Sequence, residues 1–456
     1  MFQIEPKQSL SWQEALFLLL TVIALISTFI IKLETVPHLP LILAILYIMT
    51  YGLVKKLPFS QLETGLIKGA TAGVGAVFLF LLIGILISSW MVSGTIPMLM
   101  DTGIRLIGGT WFYAIVFVVT AIIGTALGSS LTTSATIGVA FIGMAQAMDL
   151  SLAISAGAIV SGAFFGDKMS PLSDTTNLAS TIVEVDLFSH IKNMAWTTLP
   201  AFLVTFVLFA ALSPSQQIDA GQLENYQQGL QASGLLHWSA WIPLLLLIGF
   251  TLFKIPAFVT LAASSLTAAL IAGFKGNLSW IAIWNSWFAG YSSNTGVESV
   301  DGLLTRGGME SMLFTISLVL LALGLGGLLF VTGIIPSLLL TIEKKLISLH
   351  SITLTTVFTA IGANILIGEQ YLSILLTGET YKKVYDRAGI SRKKLSRTLE
   401  DAGTVINPLV PWSVCGVFLA DVLGVPVLTY LPFAFFCLLC PIMTIIIKGN
   451  TSKEKA

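Results

Sequence analysis

Apolar runs close to the roughly 20 residues that a membrane-spanning helix needs recur along almost the whole chain. Clear ones are Ala15–Ile31, Leu39–Val54, Ala70–Val92, Trp111–Leu127 and Trp196–Leu212, followed by Trp241–Phe253, Pro256–Gly273, Met312–Val331, Ile352–Ile367 and Val427–Ile447. Shorter or interrupted stretches lie at Thr132–Met148, Leu152–Val183, Glu369–Tyr381 and Thr404–Leu423. Only 10% of the residues are charged, against about 25% in a soluble domain. So few charges cannot cover a water-facing surface. The lipid bilayer is the expected solvent, and the expected fold is an all-α polytopic membrane protein. Glu5 and Lys7 precede the first run and Lys32 follows it without a small-residue cleavage site, which predicts a retained helix rather than a removed leader.

The polar stretch 213–237 divides the chain into two similar halves, 1–212 and 238–447, with 448–456 as a tail. Ser11-Trp12 opens the first half and His237-Trp238 the second. Ser93-Gly94-Thr95-Ile96-Pro97 recurs as Thr332-Gly333-Ile334-Ile335-Pro336, and Gly166-x4-Pro171 recurs as Gly403-x4-Pro408, at nearly constant offset. Lys382, Lys383, Arg387, Arg392, Lys393, Lys394 and Arg397 crowd one loop against Asp386 alone, which predicts a cytoplasmic position. The counterpart around 141–151 has no Lys or Arg. Seven elements per half would therefore make the halves inverted repeats with broken or re-entrant helices, a hallmark of secondary transporters. Both termini are expected in the cytoplasm.

The most informative segment is Gly166–Asn177, which holds Asp167, Lys168, Ser170, Ser173, Asp174, Thr175, Thr176 and Asn177 between apolar flanks. Pro171 donates no amide hydrogen and disfavours helix at Ser170, so the helix should break there. Irregular backbone at membrane depth persists only when buried in protein or lining a watery cavity. Carbonyls and carboxylates at such a break suit a hard cation, and freed amides suit an anion. The alternative is an ordinary polar loop outside the membrane with Ser173 or Asp174 as a cap. The counterpart at 403–413 keeps the break with Pro408 and Pro411 but lacks acids at the break itself. Thr404, Asn407 and backbone carbonyls would complete a cation shell, with the amides near Asp174 and Trp412 open to a carboxylate. Glu369 and Gln370 interrupt two apolar runs, and an intramembrane carboxylate is a functional candidate by default. Asp401 follows Arg397 at helical salt-bridge spacing, which predicts a solvated helix face. Zero net charge argues against a nucleic-acid partner. The four histidines are scattered, the three cysteines lack metal-ligand spacing, and no phosphate-binding loop is present, so neither an enzyme nor an ATP-driven pump is expected.

GDKMSPLSDTTNLA (166–179), GYSSNTG (290–296), LLTRGGMESM (303–312), GEQYLSI (368–374) and LSRTLEDAGTVINPLVPWSVCG (395–416) resemble the NhaC family of bacterial sodium/proton antiporters. The resemblance covers nearly the whole chain. It implies sodium and protons as the transported species, no cofactor, and a bacterial inner (plasma) membrane. Some relatives exchange organic acids or carry amino acids, so a small organic anion or amino acid is the alternative cargo. The resemblance raises the weight on Asp167, Asp174, Glu369 and Asp401 and on the stretch Leu303–Met312. The expected proton-coupling groups are Asp174, Asp167, Glu369 and Asp401, and the expected sodium ligands are Asp174, Asp167, Ser170 and Ser173. Some relatives carry Asp where this chain has Glu369, a change that keeps the acid and alters ion choice or proton affinity. Assembly as a homo-oligomer is compatible with this reading.

Overall fold

The computed structural model describes residues 6–107, 110–214, 220–276, 278–294, 301–302, 304–343 and 349–447. The expected tail 448–456 lies outside them. Among the described residues there is no strand, only an isolated bridge between Tyr291 and Arg306. The first half runs α1 (Trp12–Ser27), α2 (His38–Val54), α3 (Phe59–Thr71), α4 (Val74–Val92), α5 (Thr95–Ile107), α6 (Phe112–Leu127), α7 (Ser130–Thr133), α8 (Val139–Ala147), α9 (Leu152–Met169), α10 (Asp174–Ile182) and α11 (Leu187–Leu212). After α12 (Ala220–Ala232) come α13 (Ile242–Leu252), α14 (Ala257–Lys275), α15 (Trp280–Ala289), α16 (Met309–Val331), α17 (Ile334–Glu343), α18 (Leu349–Ile367), α19 (Gln370–Arg387), α20 (Arg392–Leu399), α21 (Val414–Leu423), α22 (Val427–Tyr430) and α23 (Phe435–Ile446).

Five of these helices are long and apolar enough to cross a membrane, or up to seven if each bent pair is one span. Two expectations change in detail. The polar connector contains helix α12 rather than only loop. The run Val427–Ile447 is bent by 56° between Phe433 and Phe435, where Pro432 and the non-helical Ala434 interrupt it.

Burial separates centre from rim. The apolar window of α16 is 72% buried and that of α4 56%, against 28% for α1 and for α11. Phe17, Leu20, Leu203 and Val207 on those rim helices are exposed, as lipid-facing side chains must be. The two central helices cross between halves: α16 packs on α2 and α3, while α4 packs on α14 and α15. Close approach of α3 to α16 needs small residues. A Cβ on Gly327 would collide with the carbonyl oxygen of Gly65 and sit 2.9 Å from Gly69 Cα.

The halves also share helix ends. α6 stops at Gly128 and α18 at Gly368, both left-handed with φ of +65° and +72°. In each case the next residue, Ser129 or Glu369, caps the following helix through its side chain.

Gly327→Ala should lower stability by about 1–3 kcal/mol, because backbone atoms cannot move aside as a side chain can. Gly75→Ala, with nothing within 4 Å of the added Cβ, should leave stability equal or higher. Thermal unfolding of the purified variants in one detergent checks both.

Candidate functional site

Gly166 on α9 faces Gly124 on α6, and a Cβ on Gly166 would lie 2.5 Å from Gly124 Cα. The absence of side chains lets the two helices touch, and that contact delivers Asp167 to the turn after α6. Ser130 donates its amide N–H (3.2 Å) and its hydroxyl (2.6 Å) to Asp167 Oδ2. The helix then breaks where Pro171 predicts: Ser170 is extended, with ψ of 130°. Ser173 caps α10 by accepting the Thr176 N–H at 3.3 Å. Asn177 Nδ2 donates to the carbonyls of Pro171 (3.1 Å) and Ser173 (2.7 Å), and the Thr176 hydroxyl donates to the Lys168 carbonyl at 3.1 Å. The break is thus stitched by its own second half.

Asp174, the first residue of α10, is exposed. It lines a cavity of about 480 Å³ whose wall also holds Asp167, Thr175, Asn177, Gln370 and Lys254. Several expected site residues are therefore brought together. Glu369 stands next to this wall: it is buried and accepts the Leu372 N–H at 2.7 Å as the cap of α19. Ser170 and Ser173 are buried behind it.

The second break lies elsewhere and is already filled by protein. A π-helical turn, Glu400–Thr404, leads into a short 3-10 turn at Asn407–Leu409 and then to Ser413, which caps α21. Asn364 from α18 donates to the Gly403 carbonyl at 2.7 Å. Asn407 donates to Asn364 Oδ1 (2.8 Å) and accepts the Cys415 N–H (2.9 Å). The Trp412 indole donates to the Ile365 carbonyl at 2.6 Å. Thr404, Asn407, Trp412 and Asp401 are not among the residues that line the cavity of Asp174. The Thr404 hydroxyl is buried beside the Glu400 carboxylate.

Asp401 does not sit on a solvated face. It is 0% exposed and paired with Lys168, also 0% exposed. Thr197 donates to its Oδ2 at 2.8 Å, and the Thr444 hydroxyl also donates to it. The spacing of Arg397 suggested a local salt bridge. Arg397 is instead buried, with Nη2 donating to the Ile447 carbonyl at 3.2 Å. Lys168 likewise pairs with Asp401 and not with its neighbour Asp167. Sequence reasoning missed Asn364 and Glu400. The sequence signal for Glu400 is that Glu400-Asp401 open an otherwise uncharged stretch.

Outside the apolar core, Glu184 after α10 bonds Lys382 (2.6 Å) and Arg392 (2.5 Å), and Arg392 also bonds Asp386 (2.8 Å). The basic loop thus meets an acid from the other half. The Lys382 ammonium, then the Arg392 guanidinium, hold the Glu184 carboxyl below its ordinary value, and Arg392 does the same for Asp386.

Described residues that are all-helical, with apolar spans and helix breaks after Met169 and around Asn407, the first facing a carboxylate-lined cavity, are those of a multi-pass membrane protein. The chain belongs to the Na+/H+ antiporter family, which residues 162–448 match. It is 41% identical to the Na+/H+ antiporter NhaC of Alkalihalophilus pseudofirmus, over 97% of this chain and 96% of that one. It is 38% identical to the NhaC of Bacillus subtilis, over 97% and 99%. It is also 33% identical to the malate-2H+/Na+-lactate antiporter of Bacillus subtilis, over 96% and 94%.

Glu184 and Asp386 carry lowered values in the folded chain. Their contribution is complete above the unfolded carboxylate range and disappears as pH falls through the lowered values. Hydrogen-exchange protection at the end of α10 should therefore drop as pH falls from 7 to below the ordinary carboxylate range. Glu184→Gln should show the lower protection already at pH 7, with less response to salt than the parent.

Proposed function

We propose that the protein exchanges sodium ions for protons by alternating access, with its cation site at the first helix break. The observation that carries this reading is Asp174, presented at the start of a half-helix to a cavity that Asp167 also lines. Asp174 and Asp167 supply charge to the ion, and Thr175, Asn177 and Gln370 on the same wall supply neutral oxygens, the donor types a hard cation prefers, while Ser170 and Ser173 lie behind that wall. Family membership and the two NhaC relatives support sodium and protons as the cargo. Proton uptake by buried carboxylates is the counter-reaction, and opposing gradients drive it without ATP.

The halves are read as inverted repeats in a bacterial inner membrane, with both termini in the cytoplasm. The reciprocal packing of α4 and α16 and the matched ends of α6 and α18 support that relation. Exchange involving a small organic anion is the second reading. A cavity of about 480 Å³ with Lys254 on its wall is larger than a bare sodium ion needs, and one relative is a malate/lactate exchanger by name.

In vesicles carrying an internal pH dye, an imposed sodium gradient should move protons with no organic solute present. Asp174→Asn should reduce the signal to that of empty vesicles. No response until malate or lactate is added would sink the primary reading. For topology, Asp149→Cys and Lys393→Cys should react with an impermeant thiol reagent from opposite faces. Labelling from one face would defeat the inversion.

A further inference from the structure

Glu400 and Asp401 are consecutive on the π-helical turn, and both are fully buried. Asp401 is satisfied by Lys168, Thr197 and Thr444. Glu400 is not: both carboxylate oxygens are buried, with only the Thr404 hydroxyl of the same turn beside them. Lys168 is already held by Asp401, so an ionised Glu400 would have one hydroxyl donor and no cation of its own. A buried carboxylate in that position is costly unless it is neutral. Protonation of Glu400 removes that cost.

The titratable groups facing Glu400 are Asp167 and Lys168 from α9, Asp401 in its own turn and Cys440 from α23. Asp167 and Lys168 are neighbours whose side chains diverge. Asp167 reaches the Ser130 turn and the cavity wall, while Lys168 reaches Asp401. One peptide unit thus joins the cation cavity to the Glu400 turn. With Asp167 and Asp401 ionised against Lys168, this group of four carries one net negative charge, and ionising Glu400 would add another. A sodium ion at Asp167 cancels one charge and makes room for that ionisation.

We propose that Glu400 is the proton-carrying residue coupled to sodium. Sodium arriving at Asp167 and Asp174 expels the Glu400 proton to water, and sodium leaving restores it. Sodium and proton occupy two positions, linked through the charge of Asp167, Lys168 and Asp401. The assignment rests on the exchange proposed above and names the residue through which it is coupled.

The test uses the full-length purified protein with a pH dye and radioactive sodium. In the wild type, sodium binding should release protons. In Glu400→Gln, which mimics the protonated state, sodium should still bind. Proton release per bound sodium should fall close to zero. Unchanged release per sodium in Glu400→Gln overturns the assignment. Loss of sodium binding in a folded Glu400→Gln also overturns it, because Glu400 would then serve the ion itself. If Glu400→Gln does not fold, Glu400→Asp keeps the carboxyl one methylene shorter. Its sodium-sensitive protonated-carboxyl band should then shift in infrared difference spectra, and an unshifted band overturns the proposal. A wild type that binds sodium without releasing protons defeats the exchange reading itself, a result distinct from a defect confined to the variants.

Discussion

The ion pair between Lys168 and Asp401 ties the two discontinuous helices together. Both side chains are removed from solvent, where an unpaired charge is far more expensive than a paired one. Taking away one partner of such a pair typically costs about 3–5 kcal/mol. Thr197 from α11 and Thr444 from α23 close on the same carboxylate, so four segments converge on one point. Once Lys168 is anchored there, the preceding residue is aimed at the Ser130 turn, and the end of α9 is set relative to the π-helical turn. The cavity beside the first break depends on that anchorage.

The two breaks answer one physical demand in different ways. Backbone groups freed at membrane depth must find partners. At the second break the protein supplies them: Asn364, Asn407 and Ser413 take up carbonyls and amides from both sides of the interruption. At the first break Asn177 and Thr176 do the stitching from within α10, and Asp174 remains exposed in the cavity. One break is a packed joint, and the other keeps a carboxylate in reach of solvent. That asymmetry supports a cation site at the first break, whatever the exact relation between the halves.

Close helix approach is the third element. Gly166 against Gly124 and Gly327 against Gly65 and Gly69 replace side-chain packing with backbone contact. In lipid, where burial of apolar side chains gives helices little reason to associate, such contacts and polar links carry more of the cohesion. Gly166 therefore serves the site directly, since its contact with Gly124 brings Asp167 within reach of Ser130.

Much of this was legible residue by residue. Apolar runs and scarce charge dictate helices in lipid, Pro171 and Pro408 mark breaks, and Ser173 reads as a cap, because these effects act over a few neighbouring residues. The partner of Lys168 was not legible, since Asp401 lies 233 residues away while Asp167 is adjacent. Nor was the burial of Arg397, the pairing of Lys382 and Arg392 with Glu184, or the burial of the Glu400 carboxylate. Each depends on which helix faces are pressed together. Spacing along the chain proposes local pairs, but the cost of burying a charge selects partners from whatever packing brings near, and that choice exists only once the helices have assembled.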